Sequence, residues 1–344
     1  MTELALEARG LVRRYGTVLA VDHADLAVPQ GELVALLGPS GCGKTTSLRL
    51  IAGLDRGEGT IAIDGVLVSG GARPVPPESR GVGLVFQDSV LFPHLDVGAN
   101  VAYGLKGPDR DAATRRMLGL LGIAHLARRM PHELSGGEQQ RAALARTLAT
   151  QPSLVLLDEP LAHLDASLRE RVRDEMLGAL RRTGTSALLV THDQSEALAI
   201  ADRVVVMNAG RIHQEGTPEE VYRRPVDRFT AEFIGRGVLV PVRITSRGTA
   251  STPLGEIVVG RDDPPGERLA VLRPESVALV ADGAGAPGRV VRSSFRGGDR
   301  LLRIELSDGT PVEASDRDGH AIGDRVSIVV RGEVATVPAV APAG

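Results

Sequence analysis

Lysine is almost missing from this chain: of 40 Lys and Arg side chains, only Lys44 and Lys106 are lysine. Tryptophan is absent and aromatic residues make up 2% of the 344 positions, which removes the stacking platforms that hold single-stranded nucleic acid. A formal net charge of −3 removes the basic field that a duplex binder needs. Cys42 is the only cysteine, so an intrachain disulfide and a cysteine-built metal site are excluded, as suits a reducing compartment. No apolar run approaches the ~20 residues that span a bilayer. The start, MTELALEARG, has neither the basic nor the apolar region of a signal peptide. These absences predict a soluble cytoplasmic protein with no nucleic acid as partner, whose membrane role would come through another subunit.

Apolar residues are 42% of the chain, enough for two cores at this length. Strands are predicted over 3–12 and 17–28, a hairpin at Asp64-Gly65, and a short strand at 83–86. Helical spacing runs through 95–150 and again over 166–182, with buried strands at 153–157 and 185–190 and a hairpin around 208–210. This alternation predicts a doubly wound α/β domain working at the C-terminal ends of its strands, where Gln87, Asp158 and His192 all fall. Beyond residue 235 the helical period stops. Short Val-rich segments recur between Gly, Pro and Asp turns, which predicts a small all-β barrel or sandwich ending in a loose tail, VPAVAPAG. The expected domains are therefore residues 1–235 and 236–344.

The first domain is organised around GPSGCGKTT: Gly38, Pro39, Ser40, Gly41, Cys42, Gly43, Lys44, Thr45 and Thr46. It follows an apolar run at 33–37 and opens into a helix, the context in which G-x-x-x-x-G-K-[ST] binds phosphate. The glycines let successive N–H groups point into one concavity, backed by the positive end of the helix. Lys44 would reach the terminal phosphates of a nucleotide, and the Thr45 hydroxyl would take one position on Mg²⁺. A chain so poor in lysine keeps one where a compact charge on a thin stem is needed.

Asp158-Glu159 ends an apolar strand, where the first carboxylate suits Mg²⁺ and the second could polarise an attacking water. His192, at the next strand end, has two readings: a γ-phosphate contact, or a structural histidine before a helix capped by Asp193 and Glu196. LSGGE at 134–138 reads as a capping box, Ser135 with Glu138. Yet Gly136 and Gly137 weaken a first turn, and close approach of an anion to bare N–H groups would justify them.

In this order the phosphate loop, Gln87, LSGGE, the strand ending in Asp158-Glu159, Leu164-Asp165 and His192 resemble the ATP-binding cassette (ABC) transporter ATPases, over about residues 4–235. The resemblance implies a homodimer that clamps two ATP molecules with Mg²⁺. Tyr15 would stack on adenine, Gln87 would contact Mg²⁺ and water while sensing the permease, and Asp158 would hold the metal. Glu159 would be the catalytic base and His192 would hold the γ-phosphate. Ser135, Gly136, Gly137 and Glu138 would face the partner's phosphate loop, with Asp165 carrying communication across the interface. Two positions depart from the common pattern: Glu138 where Gln is more usual, and Ala162-His163 where Ser-Ala is common.

The C-terminal segment around Leu272-Arg273-Pro274-Glu275 is similar to the TOBE-like module of importer ATPases. Residues 92–95 look like an importer surface for a permease coupling helix; a loop anchor is the equal alternative. The whole then resembles an importer ATPase at the cytoplasmic face of the membrane, joined to integral permease subunits and served by a solute-binding protein. Residues 73–95 are most similar to ferric-iron importers, with spermidine/putrescine, sulfate and sugar importers as alternatives. A soluble non-transport ABC ATPase would carry tandem cassettes or heptad inserts, and none is visible. The Cys42 thiol, inside the loop, is expected to react with a maleimide and block ATP; as a small filler in a tight turn it would not react.

Overall fold

The computed structural model describes residues 3–86, 91–162, 165–281 and 283–339. They divide into two compact units, Met1–Pro218 and Glu219–Gly344. In the first, β1 (Leu4–Tyr15) and β2 (Val18–Pro29) form an antiparallel hairpin. β3 (Leu33–Leu37) is buried at every residue and leads through the phosphate loop into α1 (Lys44–Ala52). β4 (Glu58–Ile63) and β5 (Val66–Ser69) turn on Asp64 and Gly65, both at positive φ, and complete a four-stranded sheet in the order β2-β1-β4-β5. There follow β6 (Val82–Val85), α2 (Val97–Ala102), α3 (Arg110–Leu120), α4 (Gly136–Ala149), β7 (Leu154–Asp158) and α5 (Ala166–Thr183). The unit closes with β8 (Ser186–Thr191), α6 (Gln194–Ile200), β9 (Arg203–Asn208) and β10 (Arg211–Gly216). The second sheet has the order β10-β9-β3-β8-β7-β6 and is parallel except at β10.

A parallel strand covered on both faces needs apolar side chains at every position, and the pleat sorts them between two cores. In β7, Leu154 and Leu156 join Leu48 and Ile51 of α1 and the inner face of the antiparallel sheet. Val155 and Leu157 face the other way, into a core shared with α2, α3, α4 and α5. The two cores hold the ends of β3, β7 and β8 in fixed register, and those ends carry the polar residues of the site.

α7 (Pro218–Arg223) starts at the boundary between the units, and α8 (Arg228–Phe233) lies in the second. The sequence places the boundary later, at 235/236. The buried Arg273 explains the difference, because its guanidinium donates to the carbonyls of Tyr222, Ala231 and Arg236 and ties that segment to the β-structure. The strands are β11 (Val238–Ser246), β12 (Thr249–Thr252), β13 (Gly255–Val259), β14 (Gly266–Leu272), β15 (Val277–Val280), β16 (Ala286–Phe295), β17 (Arg300–Leu306), β18 (Pro311–Asp316), β19 (Arg325–Val330), β20 (Glu333–Val334) and β21 (Thr336–Pro338). They form two sheets, β20-β13-β12-β11-β14-β21 and β15-β19-β16-β17-β18, around a main core, and Val271 and Val337 form a smaller cluster with Ala231 of α8. The tail expected to be loose is strand in part: β21 pairs with β14 and Val337 is fully buried.

Candidate active site

Two glycines of the phosphate loop are dictated by what surrounds them. A Cβ on Gly38 would lie 2.2 Å from the Met207 carbonyl oxygen, and one on Gly43 would lie 2.2 Å from that of Ala20. Gly43 also sits at φ +110°, and no side chain caps the helix it opens. The first N–H groups of α1 are therefore left for an anion. Lys44 is buried, and its ammonium donates to the carbonyls of Gly38 at 2.8 Å and Pro39 at 3.0 Å. Those bonds fix a positive charge beneath the loop. Ser40 is exposed and Thr46 half-buried.

The Thr45 hydroxyl donates to Asp158 Oδ1 at 3.2 Å, so two of the three residues expected at Mg²⁺ meet. The third, Gln87, lies outside the described residues. Burial pushes the Asp158 carboxyl up, the Thr45 hydrogen bond opposes this, and the neighbouring Glu159 charge adds to it. A half-buried carboxylate beside a hydroxyl is a hard oxygen donor set short of positive charge, which fits a magnesium ion.

Glu159 holds φ at +45°, a conformation that costs a residue with a side chain of order 1–3 kcal/mol. Its N–H donates to the Val190 carbonyl of β8 at 2.9 Å. Its Oε2 lies 2.9 Å from Nδ1 of His192, whose side chain is 55% exposed and serves no core. Asp193 caps α6, as the sequence predicts, by accepting from Glu196 N–H at 3.1 Å. Glu196 departs from a capping box: its carboxylate accepts instead from the Thr191 hydroxyl at 2.7 Å.

Tyr15 is exposed; its hydroxyl donates to Asp55, which follows the C-terminal end of α1, and the Arg13 guanidinium lies 4.3 Å from its ring centre. Ser135 N–H and its hydroxyl both donate to Glu138 Oε2 at 2.7 Å, so the capping pair forms. The structure adds a packing reason for Gly137, since a Cβ there would lie 2.9 Å from Val172 on α5. Among the described residues no hydrogen bond joins Ser135, Gly136, Gly137 or Glu138 to the phosphate loop of the same chain. Asp165 accepts from Leu168 N–H at 2.9 Å and caps α5. His163 and Leu164 lie outside the described residues.

Cys42 takes the filler reading. It is 4% exposed, and its Sγ lies 2.6 Å from where a Cβ on Gly38 would be. Burial pushes its thiol up against the opposing pull of Lys44. In the next segment Leu91 is buried and Phe92 half-buried beneath Tyr103, with ring centres 4.3 Å apart. Sequence reasoning did not find Asp55, the partner of Tyr15, or Arg80. The buried Arg80 guanidinium donates to the carbonyls of Leu50 and Ile51 and secures the end of α1.

The ABC transporter family profile matches residues 21–162 and the TOBE domain profile residues 270–337. The Fe(3+) ions import ATP-binding protein FbpC 1 of Rhodococcus jostii is 44% identical over 97% of this chain and 99% of its own. The sulfate/thiosulfate import ATP-binding protein CysA 2 of Chromobacterium violaceum is 47% identical over 89% of this chain and 85% of its own. Among solved structures, cbiO1 from Clostridium perfringens, part of the ABC transporter complex cbiONQ, superposes with a TM-score of 0.59 at 28% identity. It covers 64% of this chain and 91% of its own.

Proposed function

The chain belongs to the ABC transporter family as the ATP-hydrolysing subunit of an importer, and from that premise we propose that it drives ferric-iron uptake through a separate membrane permease. The observation that carries the site is the junction of Thr45, Asp158, Glu159 and His192 at the ends of β7 and β8 beside the phosphate loop. In this reading the loop N–H groups and Lys44 bind the phosphates, and Tyr15 offers its ring to adenine. Thr45 and Asp158, with Gln87, hold Mg²⁺, which when bound neutralises charge on the transferred phosphoryl group. Glu159 accepts the proton of the attacking water, and His192 orients that carboxylate and the terminal phosphate. Ser135 and Gly137 act on the nucleotide of a second copy, so the working form is a homodimer. The surface at 92–95 receives the permease on the cytoplasmic side, and a solute-binding protein delivers the cargo to that permease.

Iron is favoured by the near full-length match to a ferric-iron import protein; sulfate is the second reading, supported by the 47% identical relative. Uptake of radio-iron and radio-sulfate in cells deleted for the gene, complemented with wild type or E159Q, tests both. Iron uptake restored by wild type alone supports the cargo and the base. Iron uptake unchanged by the deletion removes iron, and loss of sulfate uptake instead installs the second reading.

A further inference from the structure

Thr191, Asp193 and Glu196 close a ring of hydrogen bonds around the turn that carries His192. Asp193 N–H donates to Thr191 Oγ1 at 3.0 Å, the Thr191 hydroxyl to Glu196 Oε2 at 2.7 Å, and Glu196 N–H to Asp193 Oδ1 at 3.1 Å. Thr191 is 2% exposed and Glu196 7%. The helix needs no such acid, because Asp193 already caps it, and burying a carboxyl costs desolvation that an exposed first-turn glutamate would avoid. Glu196 Oε1 has no hydrogen bond among the described residues. Glu196 also lines a cavity of about 50 Å³ together with Glu159, Arg169, His192 and Asp193, room enough for water next to the reacting pair.

We propose that Glu196 is a positioning residue for hydrolysis: through the Thr191 hydroxyl it fixes the turn that presents His192 Nδ1 to Glu159. The role rests on the reading of Glu159 as the base. Removing either end of the link frees the turn while leaving the phosphate loop intact. Supporting shells of this kind hold a catalytic group within the small tolerance that reaction geometry allows.

Purified full-length variants decide it, assayed for ATP hydrolysis, for binding of a non-hydrolysable ATP analogue and for thermal unfolding. In E196L and T191V, kcat is expected to fall roughly ten- to a hundredfold, the scale set by misplacing a catalytic group, with analogue affinity within about twofold of wild type. E196Q keeps an oxygen that accepts from Thr191 and is expected to retain kcat within about threefold, a rescue that a charge-dependent role would not give. E159Q reports on the underlying reading: if it hydrolyses ATP normally, the base assignment falls and the positioning role falls with it. With E159Q inactive, wild-type kcat in E196L and T191V, or equal loss in E196Q, overturns the positioning role alone. Joint loss of analogue binding and thermal stability in E196L and T191V would reduce the ring to a folding element and overturn it too.

Discussion

Each unit contains a 2.9 Å contact between a carboxylate and a histidine Nδ1: Glu159 with His192 in the first, Asp316 with His320 in the second. In the second unit the Asp316 side chain is fully buried. It accepts from the N–H groups of Asp318 at 3.0 Å, Gly319 at 3.1 Å and His320 at 2.9 Å, besides the imidazole. Burial alone would raise this carboxyl, but the His320 ring and the N–H groups outweigh it and hold Asp316 below the ordinary range. In the first unit Glu159 is 22% exposed and rides on a left-handed residue, and among the described residues only His192 bonds its carboxylate. In the function proposed above, the same pair of groups serves opposite ends. A carboxylate saturated by backbone donors stores its charge in the fold, whereas one with open lone pairs on a strained strand end can take a proton from water.

The isosteric amides break this symmetry most sharply. E159Q is expected to lower ATP hydrolysis by roughly a hundredfold or more, the scale of a lost general base, while the unfolding midpoint stays at the wild-type value. D316N should do the reverse. Whichever way its amide turns, the NH₂ meets at least one backbone donor, because Oδ1 faces Asp318 N–H while Oδ2 faces the N–H groups of Gly319 and His320. A loss of roughly 3 kcal/mol from the second unit is expected, measured by urea unfolding, with hydrolysis unchanged. Equal unfolding curves for wild type and D316N would show that the buried knot is not structural.

Proton linkage sharpens the same contrast. Because the Asp316 carboxyl is depressed in the folded state, its stability is present above the ordinary aspartate value of about 3.9 and is lost as pH falls through the lower folded value. Acid unfolding of the second unit should therefore steepen below about pH 4 in wild type and flatten in D316N. A D316N profile parallel to wild type would assign the acid sensitivity elsewhere.

What the sequence made legible follows from the same physics. The phosphate loop, the capping pair Ser135–Glu138 and the strand-end carboxylates are chemistry written in neighbouring residues, and their backbone consequences are local. The doubly wound sheet was legible because parallel strands buried on both faces must be apolar throughout. Arg80 and Asp55 were not, since each acquires its meaning from a partner that folding supplies, helix-end carbonyls and a tyrosine hydroxyl; Glu196 reads as a cap in sequence, and its bond to the Thr191 hydroxyl appears only in the fold. Gly137 reads as an anion seat in sequence and gains its packing reason only against Val172 of α5. The short strands β12 and β18, TAST and PVEASD, carry too few apolar residues to announce themselves and are defined by their neighbours.

A smaller effect belongs to Tyr222, whose hydroxyl donates to Glu275 Oε1 at 2.6 Å beneath the Arg273 guanidinium. Burial and then Glu275 push this phenol up to about 12. A raised folded value means stability that is complete below the ordinary tyrosine value of about 10 and is lost as pH rises through the folded one. Y222F should cost about 1 kcal/mol at neutral pH and delete the most alkaline component of the ultraviolet tyrosine titration. Persistence of that component in Y222F would place the shifted phenol at another tyrosine.

The smallest expected effect is at Cys42, and it tests whether the loop of the first unit is as closed as the knot of the second. A thiol 4% exposed, wedged against Gly38 and pushed up by burial, offers a reagent neither access nor thiolate. N-ethylmaleimide at neutral pH should leave the native protein unmodified by mass spectrometry and fully active, while the same chain in guanidinium takes up one equivalent at its single cysteine. Stoichiometric labelling of the native protein would mean that the phosphate loop opens far enough to release Met207 and Ala20 from Gly38 and Gly43. In that case the rigidity that those two glycines enforce, and with it the fixed placement of Lys44, would have to come from bound nucleotide and not from the fold.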